Sequence, residues 1–125
     1  MFSEHLNRTL TENFAQNSFA DVTLVSDDKE AFHAHKFLLS SLSPVFKDLF
    51  LSNLNSNPVI YLRGIENEEL NVLLQFMYTR KAETSSSRLE KLLKVAQDLK
   101  IQQLIEAIET TKHDVVDTVV NAENL

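Results

Sequence analysis

Along most of this chain apolar residues recur every three or four positions, and only short runs break that rhythm. The spacing puts side chains on one face of a helix. Phe2, Leu6, Leu10 and Phe14 line one side of a helix over residues 3–16. Leu70, Leu73, Leu74, Met77 and Tyr78 fall at i, i+3, i+4, i+7 and i+8. Two further stripes follow, Leu92, Leu93, Ala96 and Leu99, then Ile101, Leu104, Ile105 and Ile108. The exceptions are residues 19–26, rich in β-branched side chains from Val22 to Val25, and Val59-Ile60-Tyr61-Leu62 between Pro58 and Gly64. Both favour extended backbone. Asp27-Asp28-Lys29-Glu30 reads as a hairpin turn that returns a second strand over 31–34. Much helical face with little strand fits an α/β (α+β) fold, and the expected architecture is a small sheet surrounded by helices. The strand over 59–62 is expected to be covered on both faces.

Local signals mark the helix ends. In Ser43-Pro44 the serine accepts bonds from free helix amides and the proline is pre-set for the first helical position, so a helix starts there. It carries Val45, Phe46, Leu49 and Phe50 and stops in the polar stretch 52–58. His35-Lys36-Phe37-Leu38-Leu39 opens the helix before it. Ser87-Arg88-Leu89-Glu90 has capping-box spacing ahead of Leu92. Beyond Thr110 the pattern weakens to Val115, Val116, Val119 and Val120, which suit a helix face or an extended tail. The expectation is a domain over residues 1–110 and a C-terminal extension over 111–125, either a marginal helix or the start of a linker.

Length and composition narrow the functions. At 125 residues and 43% hydrophobic content the chain supports one domain with one core. It contains no cysteine, which removes disulfides, thiolate nucleophiles and cysteine-ligated zinc. Twelve basic residues against 18 acidic ones give a net charge of −6, so no direct nucleic-acid contact is expected. The start Met1-Phe2-Ser3-Glu4-His5 lacks the basic and apolar regions of a secretory signal, and no run is long enough to span a membrane. An intracellular protein is expected, and Asn7-Arg8-Thr9 is read as a chance glycosylation triplet.

The residues assemble no evident catalytic or metal-binding motif. His33-Ala34-His35 puts two imidazoles on one side of an extended segment near Asp27 and Asp28, but spacing fixes no third ligand. The single glycine, Gly64, leaves nothing for a nucleophile elbow or a phosphate-cradling loop. The pairs Asp27-Asp28 and Glu68-Glu69 sit at a turn and a helix start, where solvation and the helix dipole favour carboxylates. No enzyme, metal or cofactor is expected.

Three blocks of text carry a resemblance. Phe19-Ala20-Asp21-Val22-Thr23-Leu24, the run from Phe32-His33-Ala34-His35-Lys36-Phe37 through Ser43-Pro44-Val45-Phe46, and Leu74-Gln75-Phe76-Met77-Tyr78-Thr79 resemble the BTB/POZ domain in order and spacing. The likeness covers roughly residues 1–109. Asn57-Pro58-Val59-Ile60-Tyr61-Leu62-Arg63-Gly64-Ile65 is similar to members at the N-termini of invertebrate zinc-finger transcription factors.

The resemblance implies a homodimerising interaction module without catalytic activity, whose first helix packs against its symmetry mate. The dimer contacts would be Phe2, Leu6, Leu10 and Phe14 with Lys36 and Phe37, and a charged pocket near the groove would be formed by Asp21 and Lys36. Implied partners are a second copy and a co-repressor or other co-regulator, in the nucleus, with the cytoplasm as alternative and the DNA-binding part outside this chain. From the residues alone the plainer reading is that the first stripe covers its own core, that Asp21 is a strand opener and that Lys36 is a solvated helix residue. The other functional class is a substrate adaptor for a cullin-based ubiquitin ligase. Those adaptors resemble this chain less, since Leu54-Asn55-Ser56 has serine where they carry glutamate.

Overall fold

The computed structural model describes residues 19–53, 55–111 and 117–121. The helix expected over 3–16, with Phe2, Leu6, Leu10 and Phe14, lies outside the described residues. In β1 (Val22–Val25) the period of two sends Val22 and Leu24 into the core and leaves Thr23 and Val25 half-buried. The strand is shorter than the expected 19–26, because Phe19 takes a left-handed φ of 63° that interrupts extended backbone. The turn expected at 27–30 forms, with Lys29 left-handed, and β2 (Ala31–Ala34) returns antiparallel in the register Val22 to Ala34 and Val25 to Ala31.

Two short helices follow, α1 (Lys36–Leu42) and α2 (Pro44–Ser52). Ser43 separates them as expected: its Oγ accepts from the Phe46 amide at 3.2 Å, and Pro44 occupies the first helical position. The chain then enters β3 (Val59–Tyr61), parallel to β1, which completes a sheet of order β2-β1-β3. The expectation that both faces of this strand are covered is overturned. Among the described strands β3 stands at the edge, Ile60 alone of its residues turns inward, and Val59 and Tyr61 remain 69% and 47% exposed. An apolar run flanked by proline and glycine looks alike in a central or an edge strand, so pattern does not separate the two.

Helix α3 (Asn67–Thr79) buries Leu70, Leu73, Leu74, Met77 and Tyr78 as its spacing predicts, and ends where Arg80 turns left-handed at φ 67°. A strand not expected from the sequence follows, β4 (Lys81–Ser85), then a 3-10 turn over Ser86–Arg88 and α4 (Leu89–Asp98). The turn displaces the expected capping box. Arg88 stands at the N-cap without a side-chain cap bond, and the Ser87 hydroxyl meets that of Ser85 at 3.1 Å. α5 (Gln102–Glu109) packs on α4 and buries Leu104, Ala107 and Ile108.

The C-terminal expectation requires the second correction. Residues Asp117–Asn121 form β5, neither helix nor linker, pairing antiparallel with β4 from Lys81 opposite Asn121 to Ser85 opposite Asp117. Val120 is completely buried beside Ala82 and joins the core. Its β-branched neighbours favour strand once β4 supplies an edge, and burying such a side chain contributes about 2 kcal/mol that an isolated helix would lack. The expected architecture, a small sheet surrounded by helices in a mixed α/β fold, is present.

Candidate interaction surface

The junction between β2 and α1 gathers Asp21, Lys36 and Phe37 of the residues singled out from sequence. Asp21 lies just before β1, and its Oδ1 accepts a hydrogen bond from the Lys36 backbone amide at 2.8 Å. A carboxylate there satisfies a free amide and complements the helix dipole. The Lys36 side chain turns elsewhere: its Nζ donates to the carbonyls of Asn55 and Ser56 at 2.9 and 3.1 Å. Asp21 and Lys36 are thus adjacent, but the link runs through the backbone amide. Lys36 instead ties α1 to the loop between α2 and β3.

The next residue points outward. Phe37 is 83% exposed while its neighbours Leu38 and Leu39 are buried. α1 therefore holds to the core through one face and offers an aromatic ring on the other. Phe19, 89% exposed, is a second large apolar side chain left open to solvent.

The two imidazoles of His33-Ala34-His35 take separate partners. His33 Nδ1 is 3.2 Å from the Thr23 hydroxyl, and His35 Nδ1 is 2.6 Å from the Tyr78 hydroxyl. Burial pushes the Tyr78 phenol up to about 12.

Two polar clusters escaped the sequence reading because their members are far apart in the chain. Ser26 Oγ donates to Asp28 Oδ1 at 2.5 Å, and the Asn67 backbone amide donates to the same oxygen at 2.9 Å. The Asn67 side-chain amide also donates to Asp28. Asp28 therefore caps α3 from the tip of the β1–β2 hairpin, and the Ser26 bond holds its carboxyl below the usual carboxylate range. In the second cluster Arg88 makes a fork on Glu69, Nε to Oε2 at 2.7 Å and Nη2 to Oε1 at 2.8 Å, and Nε also lies 3.0 Å from Glu68. Glu69 is 3% exposed, so a carboxylate that looks solvated in the sequence is an internal strut. Asp28, Glu68 and Glu69 thus take partners distant in the chain, Asn67 and Arg88.

The geometry defines a small α/β domain that leaves large aromatic side chains open to solvent. A family model described as the BTB/POZ domain matches residues 10–114, and the chain belongs to that family. BTB domains are protein-interaction modules. Among similar Drosophila melanogaster proteins, bric-a-brac 2 is 36% identical over 105 residues, covering 84% of this chain and 10% of that protein. The sex determination protein fruitless is 35% identical over 100 residues, 80% of this chain and 10% of that protein. The chain thus spans about a tenth of each. The longitudinals lacking protein-like is 35% identical over 99 residues, 79% of this chain and 77% of that protein. The BTB domain of zebrafish PATZ1 superposes with a TM-score of 0.75 at 24% identity, covering 86% of this chain and 88% of that one, a likeness of fold.

Proposed function

We propose that this domain homodimerises and recruits co-regulator proteins to a transcription factor in the nucleus, without catalysis and without a cofactor of its own. Phe37 carries the reading: an aromatic ring 83% exposed on a helix otherwise rooted in the core is an apolar anchor awaiting a partner. The proposed dimer contact joins Phe2, Leu6, Leu10 and Phe14 with Lys36 and Phe37, a two-fold surface meeting its own copy. Asp21 and Lys36 form the polar margin of the groove. Transcription is supported by the relatives, which include the Drosophila BTB zinc-finger transcription factors bric-a-brac, fruitless and tramtrack.

Light scattering across a wide concentration range, at low and high salt, tests the reading. The expected mass is two chains, unchanged by dilution. Phe37→Asp should lower it to one chain while circular dichroism stays native, because the ring contributes little to its own fold. A mass of one chain for the unaltered protein at every concentration would sink the dimer and bring cullin binding forward as the next assay.

A further inference from the structure

Among the described residues the non-glycine positions with left-handed backbone are Phe19, Lys29, Arg80 and Lys100. In an L residue that conformation crowds Cβ against the following carbonyl, so it persists only where the surroundings offset the strain. Three of these positions serve the fold directly. Lys29 turns the β1–β2 hairpin, Arg80 closes α3, and Lys100 turns the chain from α4 toward α5. Phe19, at φ 63°, is the apolar one, and with 89% of it exposed its ring gains almost nothing from its own chain. Glycine or asparagine would enter β1 there with less strain and no bare ring.

Phe19 stands at the same corner of the fold as Phe37. Two residues on, the Asp21 amide donates to the Ala34 carbonyl at 3.0 Å, and the Asp21 carboxylate holds the amide of Lys36, the neighbour of Phe37. The two charges at this corner are occupied within the chain, Asp21 Oδ1 by that amide and Lys36 Nζ by the Asn55 and Ser56 carbonyls. A second copy can therefore approach without drying an unpaired charge. In a chain of net charge −6, such an apolar corner is also where two copies repel each other least. Area points the same way. Four rings, two from each copy, cover about 600–1,000 Å², and a specific interface takes about 1,200–2,000 Å². Phe37 and its symmetry mate fall well short of that, and Phe19 doubles the aromatic share.

We infer that Phe19 is a second anchor of the contact between two copies, its ring packing against the partner beside Phe37. The inference rests on the homodimer proposed above and adds a residue and a device to it. The single chain holds the ring out on a strained backbone, and packing in the dimer offsets that strain.

Analytical ultracentrifugation of the full chain and its variants measures self-association, and thermal melts measure the strain. Phe19→Gly should weaken association about tenfold or more, because the ring is gone. Phe19→Asn, which also tolerates the left-handed region, should do the same, whereas the apolar Phe19→Leu should stay within about threefold of the unaltered protein. In Phe37→Asp, expected as one chain, adding Phe19→Gly should raise the melting temperature, since strain is relaxed and no contact is lost. Unchanged association in both Phe19→Gly and Phe19→Asn, with the unaltered protein a dimer, overturns the inference and leaves the homodimer standing. A lower melting temperature on adding Phe19→Gly also overturns it, because the ring would then serve its own fold. An unaltered protein that is one chain at every concentration removes the homodimer, and the inference with it.

Discussion

Replacing Ser43 with alanine removes one oxygen and two structural links. The side chain is completely buried, accepts from the Phe46 amide at 3.2 Å, and donates to the Leu99 carbonyl at 2.6 Å, 56 residues away. The first bond caps α2. The second joins the α1–α2 corner to the end of α4. Losing an N-cap costs about 1 kcal/mol. Leaving a buried carbonyl without its donor costs about 1–3 kcal/mol more, because no water replaces the hydroxyl. Ser43→Ala should therefore destabilise the domain by about 2–4 kcal/mol, a large share of the roughly 5–15 kcal/mol typical of a domain. Urea unfolding followed by circular dichroism measures it, and an unchanged slope shows that the midpoint shift is a stability change. Ser41→Ala is the control: that hydroxyl caps only the local Leu38 carbonyl at an exposed position, and the loss should stay within about 0.5 kcal/mol. A Ser43→Ala midpoint equal to that of Ser41→Ala would refute the assignment of both bonds.

Arg88→Ala should destabilise by about 1–3 kcal/mol, because it leaves the buried Glu69 carboxylate without its fork, and Glu69→Leu added to it should recover part of the loss in the same unfolding assay. Asp28 has a folded pKa below its ordinary 3.8, so its contribution is present above that value and is lost as pH falls through the lower folded one; the stability gap between the unaltered protein and Asp28→Ala should close on acidification. Tyr78 works in the opposite direction. Its phenol, raised from 10.0 to about 12, contributes stability fully below pH 10 that disappears as pH approaches 12, and Tyr78→Phe should flatten that alkaline limb in thermal melts.

The helical core was legible because its information is local. Leu70, Leu73, Leu74, Met77 and Tyr78 declare their common face within three turns, and Ser43-Pro44 declares a helix start within two residues, where the structure places it. The hairpin was legible for the same reason, its strands and turn being contiguous. On the candidate surface, sequence picked out Phe37 and brought Asp21 near Lys36 through family likeness, but not the backbone link that joins them.

What tertiary structure decided depends on partners distant in the chain. Lys81-Ala82-Glu83-Thr84-Ser85 has no strand pattern of its own, and Asp117–Asn121 has ambiguous valines; each becomes a strand only against the other, where paired backbone groups and the buried Val120 favour extension. Asp28 caps a helix 39 residues away, and Glu69 is internal because Arg88 arrives from beyond β4. β3 shows the converse: its composition asks for burial, and the sheet order leaves it at the edge. Side-chain periodicity determines which face of an element is apolar, since that is set by local backbone geometry. Which neighbour covers that face, or whether any does, is set by the packing of the whole chain.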